Sequence, residues 1–184
     1  VLGFPDFYDT DYTGSGGQAA VPGDWDLMSS GSYLNNSATP AGLTGIERQI
    51  ANWAQPIELT TTANGLSLPA INDSAVFYKI DLGNNNEFLM LEHRRKTKWD
   101  SYIPGEGMLI YHAQQNRINN WLENGQNNIN VTPSNRGWYI VPATGNDAHT
   151  ETGNAPFPGI SGNMNFTNLT TPANTLMNGT PTNK

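Results

Sequence analysis

Val1-Leu2-Gly3-Phe4-Pro5-Asp6-Phe7-Tyr8-Asp9-Thr10-Asp11 opens the chain, and Gly23-Asp24-Trp25-Asp26-Leu27-Met28-Ser29-Ser30-Gly31-Ser32-Tyr33 follows after a Gly-rich loop. Gly3 with Pro5 close behind is a helix-ending pattern. Glycine takes positive φ there without a Cβ clash, and proline cannot continue the helix. The Gly/Ser-rich loop at 12–17 and the Pro22-Gly23 turn make residues 1–38 mostly irregular.

The same opening fits a second pattern. In H-E-x-x-H-x-x-G-x-x-H/D, two His one helical turn apart bind zinc from one face. A Gly then ends the helix, so that a third ligand three residues later swings back to the metal. With a His directly before Val1, residues 1–6 fill x-x-G-x-x-D and Asp6 is the third ligand. H-E-x-x-H itself is absent from all 184 residues. A plain helix cap, an Asp-rich turn and a core methionine also account for Gly3, Asp6 and Met28.

Together, LGFPDFYDTD and GDWDLMSSGSY resemble the secreted bacterial zinc metallopeptidases of the immune inhibitor A type, zincins with an Asp as third ligand and a Met-turn. The resemblance continues more loosely through NEFLMLEHRR, WDSYIPGEGMLIYH and FPG. It implies a Zn²⁺ cofactor with Asp6 as ligand, and Met28 as an apolar floor beneath the metal that does not bind it. Tyr33, five residues after Met28, either stabilises an oxyanion in the cleft or packs. Trp25 and Leu27 pack against the floor or line a substrate pocket. The implied partners are a protein or peptide substrate and the missing N-terminal part of the same protein, which would carry both His ligands and the general-base Glu. The implied location is secreted or cell-surface. On this reading the chain is a C-terminal piece of an exported zinc endopeptidase and is inactive alone.

Asp9 and Asp11 lie too close in sequence for all three carboxylates to share one zinc. They bind Ca²⁺ with nearby carbonyls or form Asx turns. His93, His112 and His149 are the only imidazoles, and none has the helical i, i+4 spacing of a zinc pair. On a strand, His112 shares a face with Met108 and Ile110, which suits a hydrogen-bonded core histidine.

Composition narrows the classes. The chain can bury a sizeable core. Its net charge is −7, and its basic residues cluster only at His93-Arg94-Arg95-Lys96, which disfavours nucleic acid and anionic membranes as partners. There is no long apolar run to span a membrane. Zero Cys excludes disulfides and thiolate metal sites. Starting at Val with no initiator Met or signal peptide, the chain reads as a processed or excised fragment.

Outward from the opening, Thr39-Pro40 reads as the start of a helix over 39–53, with an apolar stripe of Leu43, Ile46, Ile50 and Trp53. Beyond it the signal is β. Strands are predicted over 57–62 and 66–71, joined at Asn64-Gly65, and over 75–82 and 87–95, joined at Gly83-Asn84-Asn85-Asn86. Further strands are predicted over 107–113, 138–141 and 164–167, within an irregular C-terminal wrap from 144. Phe88-Leu89-Met90-Leu91 is apolar on both faces, as in a central strand. Asn-rich stretches such as RINNWLENGQNNINV favour turns over long helices.

The expected fold is α+β, mostly β. Residues 1–56 form the C-terminal part of a zincin catalytic domain, and 57–184 an antiparallel β-sandwich-like region. The rival reading is a non-catalytic β-sandwich binding module, or a peptidase-like remnant without metal.

Overall fold

Glu87–Arg94, the strand β3, is the spine of the molecule, flanked by Tyr78–Asp81 (β2) and Gly107–Gln114 (β4). Ile57–Glu58 (β1) and Trp138–Ile140 (β5) form the edges, in the order β1-β2-β3-β4-β5. All pairs are antiparallel except β1 with β2, which is parallel. The structure is a computed structural model that describes residues 3–84, 86–147 and 152–184. Val1, Leu2, Asn85 of the predicted Gly83–Asn86 turn and His149 lie outside the described residues.

β3 is apolar on both faces because both are covered. Side chains of a strand alternate, so Phe88 and Met90 point one way and Leu89 and Leu91 the other. The first face joins Leu109 and Tyr111 of β4 and Trp138 of β5 to Phe4, Phe7, Trp25, Met28 and Ile46 of the N-terminal segment. The second joins Leu89, Ile110 and Tyr139 to Phe157, Phe166 and Leu176 of the C-terminal wrap. A sandwich would need a second sheet, and the described residues contain a single one. Irregular chain covers both of its faces instead.

The hairpin predicted at Asn64-Gly65 does not form. Residues 60–67 are exposed throughout, so its arms would bury no apolar face. The stretch touches the sheet where Ser67 O accepts from Tyr78 Oη of β2, and rejoins it at Ala70 in a parallel bridge to His93. The strand predicted over 164–167 is also absent. Met164 is exposed, and Asn163 instead donates to the carbonyls of Ala143 and Thr171.

The first helix, α1, is shorter than predicted and spans Gly45–Ile50. The N–H groups of Ala41 and Gly42 are taken by Gly31 O and Asp100 Oδ1, which holds residues before Thr44 out of the helix. Thr44 then caps it in a Thr-x-x-Glu box with Glu47. Asn52 takes φ +57° just beyond, which leaves Trp53 outside the helix and exposed. Gly45 has no Cβ to hold off Met90 Sδ and the Phe77 ring, which a Cβ would meet at 2.7 and 2.8 Å.

A second helix, α2, spans Gln115–Asn124, where the asparagines favoured turns. Weak intrinsic propensity is overridden by packing: Ile118 is fully buried and Trp121 lies against the same core. Gly125 ends the helix in the left-handed conformation, its N–H on Trp121 O.

Candidate active site

The segment around Asp6 is pinned from both sides. Phe7 N–H donates to Met28 O at 2.9 Å, and Phe7 O accepts from Asn130 Nδ2 at 2.8 Å. Asn130 also donates to Trp138 O and accepts from the N–H groups of Gly137 and Trp138, which ties the segment to β5. The Phe7 ring is buried against Trp138, with centroids 6.0 Å apart. Asp6, between the buried Pro5 and Phe7, is left half-buried on an open cleft of about 700 Å³.

Met28 and Tyr33 line the same cleft. Met28 is buried at its base, and its own N–H donates to Asp26 Oδ1 at 2.7 Å. Tyr33 is 73 % exposed on the cleft wall. Leu27 both lines the cleft and packs on the core, whereas Trp25 is wholly inside the core. Tyr8 shares the cleft. The Asp6 carboxylate, with a lesser contribution from burial, holds the Tyr8 phenol above its ordinary pKa.

Asp9 and Asp11 turn inward to their own loop. Asp9 is buried, its Oδ2 accepting from Ala19 N–H and its Oδ1 from Asp11 N–H. Asp11 Oδ2 accepts from Ser15 Oγ at 2.5 Å. These are Asx-type bonds that close the Gly-rich loop. Among the described residues, no three His, Cys, Asp or Glu side chains are grouped to hold a metal ion. Asp6 is one carboxylate where zinc takes three or four protein ligands, so the residues present do not make a zinc site by themselves. His112 lies away from the cleft, its Nε2 2.8 Å from Glu87 Oε2 and its Nδ1 2.9 Å from Tyr139 Oη. Burial lowers its pKa, against the pull of Glu87.

Beneath Met28 lies a set of buried charges that pattern reading missed. Arg94 is fully buried and all five of its N–H donors are used: two on Asp100, and one each on Glu92, Trp25 O and Gly42 O. Glu92 also accepts from Gly45 N–H and Tyr111 Oη. The Arg94–Trp25 bond anchors the turn that carries Asp26 and Met28. The signal was present in β3. Glu92 and Arg94 continue the 88, 90 alternation, which places two charges on the face already assigned to the core.

Glu47 and Asp26 complete this layer. Burial raises the Glu47 carboxyl to about 7, against the opposing bonds from Thr44 and the Arg94 charge. Burial, reinforced by Glu47, also pushes Asp26 well above its usual range. Glu47 is thus protonated more readily in the folded chain than in the unfolded one. Its stabilisation is full below its ordinary value of 4.5 and is lost as pH rises through about 7. The loss is on the order of 3 kcal/mol. Thermal melts of the wild type and Glu47→Gln across this window should show the wild type losing ground to the variant as pH rises. A constant difference between the two would refute the assignment.

No curated protein and no solved structure matches this chain. Residues 1–56 match the model of the family described as immune inhibitor A peptidase M6, catalytic domain. The match takes in Asp6, Met28 and Tyr33 and stops before β1, so the N-terminal part of this chain is similar to a peptidase catalytic domain.

Proposed function

We propose that this chain forms one wall of the active site of a zinc endopeptidase, exported or held at a bacterial cell surface. The observation that carries the reading is the pairing of Asp6 with Met28. A carboxylate that accepts no hydrogen bond among the described residues opens into a cleft, and one backbone bond ties its neighbour Phe7 to the methionine at the cleft base. Both lie in the segment that is similar to a peptidase catalytic domain.

Each residue has a distinct part. Asp6 offers a hard oxygen ligand, and Met28 gives the site a dry floor without donating to it. Tyr33, which lines the cleft, is the residue we assign to donate a hydrogen bond to an oxygen that gains charge. Zinc in such enzymes polarises the scissile carbonyl and activates water. Two imidazoles and a general-base carboxylate must come from an H-E-x-x-H segment outside these 184 residues.

The test compares this chain with the complete protein that contains it. The 184-residue chain should bind zinc weakly in equilibrium dialysis and should cleave no casein, whereas the complete protein should hold one zinc and cleave casein until chelated. Chelator-sensitive cleavage by this chain alone, or a complete protein that cleaves without metal, would overturn the proposal. A complete protein that holds no zinc and cleaves nothing would overturn it too, and would favour the rival reading of a remnant or binding module.

A further inference from the structure

The cleft that holds Asp6 has a rim of tyrosines. Tyr12 is 62 % exposed and Tyr33 73 %, and the Tyr8 ring lies 6.2 Å from that of Tyr12 at 40°. Tyr8, Tyr12 and Tyr33 line this cleft together with Asp6. The acidic residues on the cleft are Asp6, Asp9 and Asp24, and among its lining residues there is no Lys, Arg or His. Asp9 is spent on its own loop. Asp24 is half-buried, with Oδ1 accepting from Ser30 Oγ.

This combination selects the chemistry of its occupant. Aromatic faces left open to water gain when an apolar group covers them, and their negative quadrupole favours a cation. Uncompensated carboxylates along the same wall favour a cation too. Lysine and arginine supply both parts, an aliphatic stem that lies on rings and a charged head that reaches past them. An acidic side chain would meet like charge, and a neutral aliphatic one would leave the carboxylates unanswered.

We infer that the cleft receives a lysine or arginine side chain of a peptide substrate, with Tyr8 and Tyr12 along the stem and Asp24 facing the head. The inference rests on the peptidase reading for the peptide to be a substrate, but the preference itself belongs to this chain. In a complete enzyme Asp6 is committed to the metal, which leaves Asp24 and the tyrosines to set the selection.

Isothermal calorimetry at low salt on the 184-residue chain provides the test. The probes are acetyl-Ala-Lys-Ala-amide and its norleucine counterpart, which shares the stem and lacks the charge. The lysine peptide should bind about tenfold more tightly, as expected of a cation over aromatic rings beside a carboxylate. Asp24→Asn and Tyr12→Leu should each reduce that preference by at least about threefold. Because the chain carries a net charge of −7, nonspecific attraction needs a control. Glu123→Gln, exposed and outside the cleft, removes the same charge and should leave the preference intact. Circular dichroism checks that each variant is folded, and if one is not, the other decides.

Equal affinity for the two peptides, no binding of either, or a loss in Glu123→Gln equal to that in Asp24→Asn would overturn the inference. Cleavage of both peptide types at equal kcat/KM by the complete protein would also overturn it, while leaving the peptidase reading standing. No cleavage of any peptide, with the lysine preference of the chain retained, would overturn the peptidase reading and leave the cation-accepting cleft.

Discussion

Arg94→Ala should be the most damaging single substitution in the sheet, costing about 3–5 kcal/mol, the usual range when one partner of a buried ion pair is removed. The guanidinium is fully buried and spends every N–H. Its loss strips the guanidinium from both Asp100 oxygens, leaving Oδ1 with the Gly42 N–H alone, and takes from Glu92 the cation it is paired with. Both carboxylates are buried, so water cannot replace what is lost without opening the core. Carbonyls of Trp25 and Gly42 lose donors as well, so the damage reaches the turn that carries Met28. With domain stabilities commonly about 5–15 kcal/mol, the variant should be largely unfolded or melt far below the wild type. Arg95→Ala next door is the control. Arg95 is exposed, and its removal should shift stability by no more than about 0.5 kcal/mol. Urea titrations followed by circular dichroism separate the two, and similar midpoints for both variants would show that the buried network contributes little.

The legible parts of the fold are those where periodicity and burial agree. β2, β3 and β4 follow from short apolar runs and a Gly/Asn turn, because a strand covered on both faces, as β3 is over 88–91, is apolar on both. The turn at Asn64-Gly65 had the right residues for a hairpin and still formed none. Turn chemistry sets a register only where the arms have a face to bury. α1 and α2 erred in opposite directions for one reason, which is tertiary competition for the same groups. Asp100 takes Gly42 N–H from the predicted first turn of α1, and the core takes Ile118 and so shapes an asparagine-rich helix.

For the site, positions could be read but supports could not. Asp6, Met28 and Tyr33 were spaced along a recognisable stretch, and the fold gathers them on one cleft. Asn130, which holds the Phe7 carbonyl, is separated from it by 123 positions and carries no local pattern. The Arg94 network likewise spans the Trp25 turn, Gly42 and Asp100, so each of its members looks like an ordinary polar residue in isolation.

On the proposed peptidase reading, Asp6→Ala in a complete enzyme that supplies the two imidazoles should remove most of the bound zinc and at least about a hundredfold of the peptidase activity, since losing mere outer-shell partners costs roughly 10–100-fold. The loss should be chemical and not structural. Asp6 is half-buried and accepts no hydrogen bond among the described residues, whereas the bonds that hold the segment run through the Phe7 backbone and survive the change. Thermal stability of the metal-free protein should therefore shift by no more than about 0.5 kcal/mol. Met28→Leu tests the other half of the pairing. Leucine is close in volume to methionine, so the floor should persist at a cost below about 1.5 kcal/mol, with zinc still bound. Asp9→Ala sharpens the contrast. It removes the acceptor for Ala19 N–H and should cost stability while leaving the zinc ligand in place. Metal analysis by atomic absorption with chemical denaturation on the three variants separates these effects. Full zinc occupancy in Asp6→Ala would show that the carboxylate on the cleft is not a ligand, and zinc loss in Met28→Leu at unchanged stability would mean that the sulfur does more than fill space.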